Sequence, residues 1–172
     1  MEQELLIFIG IFFLLHILRT IYSALKYRNK IDSENTLIYV STFTIMVVMW
    51  IIWFKICEID SNKIRIPDYL KYFGLLLFIV GIILFVISMI QLKGVENIDH
   101  LVTNGVYSRF RHPMYLAMIL WIVGYPLFQE SKYALLTSVI WIINILIWRY
   151  FEEKELSEKY DEYKTYKKLT LF

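Results

Sequence analysis

The chain has 172 residues, of which 58% are hydrophobic and 17% aromatic, and its mean hydropathy is clearly positive, as in membrane proteins. A formal net charge of +2, with the basic residues in short clusters at the ends of apolar runs, argues against nucleic-acid binding. The chain has a single cysteine, which excludes a disulfide framework. Its three histidines are not spaced as metal ligands usually are, so no metal site is predicted.

Three apolar segments are long enough to cross the bilayer core, which takes roughly 20 helical residues. They cover about residues 4–25, 36–58 and 69–92. Two shorter apolar runs, 114–128 and 132–150, are separated only by "QES" and predict a tight helical hairpin. The chain is therefore predicted to be an all-α integral membrane protein with about five transmembrane helices in one domain, 1–172.

The polar segments predict how the chain is oriented in the membrane. Residues after Arg149 alternate acidic, basic and aromatic residues at helical spacing, which predicts a C-terminal helix in water or at the interface. The side that holds 26–35, 93–112 and this tail, counted together with Arg149, carries twelve of the eighteen basic residues. Because cytoplasmic loops are enriched in lysine and arginine, this side and the C-terminus are predicted to be cytoplasmic.

The stretch "HLVTNGVYSRFRHPMY", residues 100–115 and here called the window, is unusually polar for this chain. Asn104-Gly105 is a turn signal, and Pro113 suits the first turn of a helix, where its missing N–H has no cost. A helix start offers free N–H donors and a positive dipole end to an anionic group, and Arg111 and His112 lie beside it. The window is therefore a candidate binding site at the cytoplasmic end of the hairpin.

Each polar residue in these clusters also has a simpler explanation. The arginines of the window are suited to anchoring on lipid phosphates, and its tyrosines to an aromatic belt at the interface. Glu152 and Glu153, directly after the last apolar helix, are equally consistent with a solvated helix end that pairs with Arg149. However, the hairpin returns both glutamates to the face that holds the window, so we expect acidic and basic groups to meet in one cytoplasmic cleft.

The window is followed about forty residues later by "EEKEL" and then by "KYDEYKTY". This pattern resembles the isoprenylcysteine carboxyl methyltransferase family and the related phospholipid methyltransferases. An LVT-x-G-x-Y-x-x-x-RHP-x-Y segment, a hairpin and an EE-x-x-L-x(n)-Y-x-x-Y tail recur there in this order, which implies a pocket capped by the tail. The spacing in "KYDEYKTY" is shorter than in the commonest tail, so the contact roles of Tyr160, Tyr163 and Tyr166 are left open. The resemblance covers residues 93–168, the expected catalytic half, and leaves 1–92 as three spanning helices. It implies an S-adenosylmethionine-dependent membrane methyltransferase whose lipid or prenylated substrate enters from the bilayer.

The resemblance also implies which residues form the site. The expected cofactor-binding residues are His100, Leu101, Val102, Gly105, Tyr107, His112, Pro113, Tyr115 and Glu152. Arg111 and Glu153 are the expected catalytic residues: the arginine would orient a carboxylate acceptor, and the glutamate would serve as a base for an amine acceptor. Gln91, at the end of the third helix, is a further candidate for a cofactor contact.

Methyl transfer from a sulfonium is an in-line displacement in which charge disappears, so it needs alignment and exclusion of water more than a strong acid or base. The residues alone do not choose between a carboxylate and a phospholipid amine, although the resemblance places the carboxylate first. No GxG pair occurs, which excludes a Rossmann-type cofactor site. Two other interpretations stay open: an NADPH-dependent sterol or isoprenoid reductase, and a scaffold whose charged clusters are only anchors.

Overall fold

The computed structural model describes residues 2–28, 30–31, 35–93 and 100–172, and the regular elements in those ranges are helical. The α-helices are α1 (Glu2–Tyr27), α2 (Thr36–Ile59), α3 (Asp68–Leu92), α4 (Pro113–Gln129), α5 (Lys132–Lys159) and α6 (Tyr163–Leu169). A short 3₁₀ turn, Gly105–Ser108, precedes α4. The predicted all-α architecture is confirmed.

Four helices of the described chain, α1, α2, α3 and α5, are long and apolar enough to cross a membrane. The fifth, α4, has 17 residues. Seventeen residues cover about 26 Å at a rise of 1.5 Å each, less than the ~30 Å hydrocarbon core. Four of the five predicted spans therefore meet the length criterion, and α4 is short, as the first arm of the hairpin was expected to be.

Helix α5 extends further than the apolar run 132–150 from which it was predicted. It continues without a break to Lys159. Residues 151–159, "FEEKELSEK", contain strong helix formers and neither glycine nor proline, so nothing in the local sequence ends the helix at the last apolar residue. The predicted acidic cluster is consequently carried on a rigid continuation of the hairpin, and the separate C-terminal helix is α6.

Helices α3 and α4 form the closest helix pair in the described structure. Gly74 and Gly124 lie where the two backbones meet: a Cβ atom added to Gly124 would lie 2.5 Å from both the Gly74 carbonyl oxygen and the Phe78 nitrogen. Small residues of this kind let helices approach closely in membranes, where packing replaces the hydrophobic effect as the main attraction. This contact lies near the start of α3 and the end of α4, and the helices meet again closer to the window at Gly81, where an added Cβ atom would lie 2.8 Å from the Ala117 carbonyl oxygen.

At the opposite end of the bundle, Asp60 joins the loop after α2 to the turn between α4 and α5. Its side chain accepts hydrogen bonds from Ser131 Oγ at 2.7 Å and from the backbone N–H groups of Tyr133 at 2.7 Å and Asn62 at 2.9 Å. The residue is 1% exposed. A buried carboxylate with three donors is well satisfied, so this contact fixes the hairpin turn against α2.

We expect Asp60→Asn to lower the free energy of unfolding by about 2 kcal/mol, because the amide places a donor where the structure needs an acceptor. Thermal unfolding in detergent measures this. Glu58→Gln is the matched control, since Glu58 is 69% exposed in a surface pair with Lys55 and its loss should be nearly neutral. Equal midpoints for the two variants would contradict the role given to Asp60.

Candidate active site

The 3₁₀ turn of the window is fixed to the end of α3 by Gln91. The backbone N–H of Val106 donates to Gln91 Oε1 at 2.9 Å. Gly105 adopts φ +59°, and a Cβ atom there would overlap the Gln91 amide group. Glycine alone takes this left-handed conformation at no steric cost. Gln91, a candidate for a cofactor contact, therefore supports the turn in this structure.

The turn directs Tyr107 inward, between α3 and α6. Tyr107 is 6% exposed, and its hydroxyl donates to the Ser88 carbonyl at 3.4 Å. Its own carbonyl accepts a hydrogen bond of 2.6 Å from the Tyr166 hydroxyl. Burial raises the pKa of the Tyr107 phenol above its usual value, so the ring is neutral at physiological pH.

Arg111 holds the C-terminal end of α6. Its Nη1 atom donates to the carbonyl oxygens of Lys167 at 2.8 Å and Thr170 at 2.5 Å, and its Nε lies 3.4 Å from Glu153 Oε1. A cation at this position satisfies carbonyls that have no partner within the helix and opposes the negative end of the helix dipole. Arg111 thus joins the window to the tail.

Glu153 is the centre of a charge network that links three segments of the chain. Its Oε1 atom lies 3.3 Å from Arg149 Nε, 3.4 Å from Arg111 Nε and 3.4 Å from His112 Nε2, and its Oε2 atom lies 2.5 Å from Lys167 Nζ. These partners come from α5, the window and α6. Because Glu153 is 9% exposed, its interactions are only weakly screened by solvent.

Backbone pairing adds a second connection between the window and the end of the chain. The N–H of Leu171 donates to the Arg109 carbonyl at 2.8 Å, and the N–H of Arg111 donates to the Leu171 carbonyl at 2.9 Å. The tail is therefore attached to the window by backbone hydrogen bonds as well as by ion pairs.

A pocket lies between the window, the end of α5 and α6. Its walls are formed by Leu92, Leu101, Val102, Tyr107, Arg111, His112, Met114, Tyr115, Glu152, Leu156, Tyr163 and Tyr166. The pocket is open to solvent on one side. Its combination of apolar walls with a few polar groups is typical of small-molecule and cofactor sites.

Two polar side chains in the pocket lie side by side. The Glu152 carboxylate is partly exposed, and its Oε1 atom lies 3.8 Å from His112 Nδ1. The His112 ring stacks on Tyr115, with their centroids 5.6 Å apart. A carboxylate, an imidazole and an aromatic face are thus presented together. In the described part of the chain, no group of histidine, cysteine, aspartate and glutamate side chains is placed to hold a metal ion.

The pocket brings together seven of the eleven residues predicted for the site. These seven are Leu101, Val102, Tyr107, Arg111, His112, Tyr115 and Glu152. Of the other four, His100 is exposed, Gly105 packs on Gln91, Pro113 is fully buried at the first turn of α4, and Glu153 lies in the charge network. Those four do not line the pocket, and the roles expected of all eleven stay predictions.

Three pocket residues were not predicted from the sequence, namely Leu92, Met114 and Leu156. Tyr163 and Tyr166 also line the pocket, and they belong to the tail motif of the resemblance, whose contact roles were left open. The two tyrosines are three positions apart on α6, a spacing that places both on one helical face and was the available signal. Burial raises the pKa of Tyr163 above its usual value and that of Tyr166 to about 12. Both are therefore neutral, and the Tyr163 hydroxyl lies 3.5 Å from His112 Nε2.

The family model for phospholipid methyltransferases matches residues 70–163, more than half of the chain. The match begins in α3, earlier than the expected range 93–168, and it contains all of the pocket residues except Tyr166. No curated protein and no solved structure matches the chain. The resemblance seen in the window and the tail is confirmed: the chain belongs to the phospholipid methyltransferase family, whose members are membrane-bound enzymes related to the isoprenylcysteine carboxyl methyltransferases.

Proposed function

We propose that this chain is an S-adenosylmethionine-dependent methyltransferase that acts on a lipid or prenylated acceptor in the membrane. The observation that carries the proposal is the pocket. The chain belongs to a membrane methyltransferase family, and the two segments that carry the resemblance, the window and the acidic end of α5, meet around one pocket at the ends of apolar helices.

The residues of the pocket fit this cofactor chemically. When bound, the cofactor supplies an electrophilic methyl group on a positively charged sulfur. The faces of Tyr107 and Tyr115 suit a sulfonium through cation–π contact, worth about 0.5–2 kcal/mol depending on desolvation. The Glu152 carboxylate suits ribose hydroxyls or the amino group, and the first turn of α4 suits a carboxylate. The neutral tyrosines contribute orientation and exclusion of water.

A carboxylate acceptor is our first candidate, as in isoprenylcysteine methylation. Such a group is ionised at neutral pH and needs no base, and Arg111 would orient it. An amine acceptor, as in phospholipid methylation, is the second candidate, and one observation favours it. Arg111 is already engaged by α6 and Glu153, whereas Glu152 presents a carboxylate to the pocket. Glu153, the base expected from the sequence, lies outside the pocket, and the hydrogen bonds from His112 and Lys167 hold its pKa well below the usual range. The partly exposed Glu152 is therefore our candidate base for that amine.

We further propose that the pocket and the C-terminus lie on the cytoplasmic side of a multi-pass membrane protein. The support is the bias of basic residues toward this end of the bundle, twelve of eighteen. A cytoplasmic pocket would receive a water-soluble cofactor from one direction and a lipid acceptor from the bilayer.

Calorimetric titration of the detergent-purified protein with S-adenosylmethionine and S-adenosylhomocysteine tests the proposal. We expect saturable binding of both and at least tenfold weaker binding by Glu152→Gln, because a charge-assisted hydrogen bond contributes about 1.5–3 kcal/mol. Glu158→Gln, on the exposed end of the same helix, is the matched control and should bind as the parent does. No binding by the folded protein, or binding of NADPH in its place, would refute the proposal.

Transfer of a labelled methyl group distinguishes the two acceptors. The enzyme is supplied in separate reactions with a prenylated cysteine and with phosphatidylethanolamine. Formation of a base-labile methyl ester supports the carboxylate acceptor, and formation of an N-methyl headgroup supports the amine.

A further inference from the structure

The tail exposes two large apolar side chains that no membrane-spanning segment explains. Leu169 is 78% exposed and Leu171 is 68% exposed. Among the described residues, the other large exposed hydrophobic side chains lie on the four candidate spans, where contact with lipid chains is expected. A pair of neighbouring exposed leucines outside a span indicates an interaction surface.

The two sides of α6 differ in what they contact. Tyr163 and Tyr166 lie on the side that lines the pocket. Lys164 and Lys168, four positions apart, are exposed on another face of α6. Leu169 is also exposed, and it lies between that face and the side of Tyr166, which it follows by three positions. The helix therefore carries two cations and one apolar side chain outside the pocket wall.

The window contributes one more cation to this surface. Arg109 is exposed, and its carbonyl accepts the backbone hydrogen bond of Leu171 at 2.8 Å. We name as the tail patch the exposed residues Arg109, Lys164, Lys168, Leu169 and Leu171. Asp161 and Glu162 precede α6 and lie at its opposite end from the two leucines.

We propose that the tail patch docks on the headgroup region of an anionic leaflet, in the same membrane that holds the protein. Three cations complement the lipid phosphates, and the two leucines reach the boundary with the acyl chains, the pattern of interfacial segments. The surface is also tethered there, because α6 is bonded to the window and follows directly on α5, a candidate span. A second copy of this chain is a poorer partner, since its tail patch carries the same positive charge.

Docking of the tail patch is also expected to affect the pocket, an inference that rests on the proposed function. Helix α6 also carries Tyr163 and Tyr166 into the pocket wall. A leaflet that binds the tail patch therefore favours the position of α6 described here, against the pocket. An anionic membrane is expected to slow the release of a bound cofactor relative to a neutral one.

The position of the tail can be measured without cofactor. Thr165→Cys places a thiol on the exposed side of α6, and the natural Cys57 is fully buried and will not react. The fluorescently labelled protein is reconstituted in nanodiscs of phosphatidylcholine, with or without phosphatidylglycerol, that contain lipids with a spin label on the headgroup. We expect stronger quenching in the anionic discs, reduced by salt.

The double substitution Lys164→Gln, Lys168→Gln should lower the equilibrium constant for docking on the anionic leaflet by roughly 30-fold. Each lysine near an anionic surface contributes about fivefold. The matched control neutralises Lys55 and Lys132 at the opposite end of the bundle and should leave the quenching unchanged. Equal quenching in neutral and anionic discs, or in the double variant and its parent, would overturn the proposal. Because the label reports position alone, this result is independent of cofactor binding in detergent.

Discussion

Glu153→Gln is expected to detach the tail from the window and to cost about 3 kcal/mol of folding free energy. The glutamine has nearly the same shape but no charge. Arg111 and Lys167, which lie against the same carboxylate, would then face each other without a counter-charge. Because Glu153 is 9% exposed, solvent replaces little of the lost interaction. Removing one partner of a buried charge network is costly for this reason, whereas removing a surface pair is not.

Two measurements separate this effect from a general loss of stability. Thermal unfolding in detergent gives the stability change, and limited proteolysis within residues 160–172 reports whether the tail leaves the pocket. Glu155→Gln is the matched control on the same helix, since its carboxylate is 47% exposed and 3.8 Å from Lys26. If Glu153→Gln is cleaved in the tail no faster than Glu155→Gln, the charge network does not hold the tail.

The spanning helices could be predicted closely because their signal is local. The expected segment 69–92 corresponds to α3 at Asp68–Leu92, and the expected 36–58 corresponds to α2 at Thr36–Ile59. A run of apolar residues of bilayer length needs no knowledge of its neighbours to be recognised. The packing of α3 on α4 was not predicted, because Gly74 and Gly124 are fifty positions apart and meet only in the fold.

The parts of the site that could be predicted are those whose signal lies within one short segment of the sequence. Gly105 and Pro113 marked the turn and the helix start, and both have those roles in the structure. Glu152 and Glu153 were treated as one cluster, but adjacent residues on a helix point about 100° apart. As a result Glu152 lines the pocket, while Glu153 is directed into the charge network.

The tail was the least predictable part of the site. Helix α6 has only seven residues, too few for a periodic pattern to define which face is buried. Its position depends on contacts between distant residues: Arg111 with Thr170, and Tyr107 with Tyr166, both 59 positions apart. The resemblance implied a pocket capped by this tail but left open which of its tyrosines contribute, and the structure places Tyr163 and Tyr166 in the pocket wall.

Gly124→Ala is expected to lower the free energy of unfolding by about 2–3 kcal/mol, a large effect for one methyl group. The added carbon would lie 2.5 Å from backbone atoms of Gly74 and Phe78, which cannot rotate away as a side chain would. The helices must therefore separate. Gly10→Ala is the matched control, because nothing lies within 4 Å of a Cβ atom at that position in α1. It should be neutral or slightly stabilising, since alanine favours a helix more than glycine does.

The same substitution should also weaken binding of S-adenosylmethionine, although Gly124 does not line the pocket. Gly124 lies at the end of α4 away from the window, whereas Gln91 on α3, which is bonded to the 3₁₀ turn, and Tyr115 on α4 lie at the other end. We expect the separation of the helices to extend along their contact, so that the two walls of the pocket move apart. Thermal unfolding and calorimetric titration of Gly124→Ala and Gly10→Ala in the same detergent test both expectations. An unfolding midpoint of Gly124→Ala equal to that of Gly10→Ala would show that the α3–α4 contact tolerates expansion. Lowered stability with unchanged binding would show instead that the pocket keeps its geometry without this contact, through the hydrogen bonds of the tail.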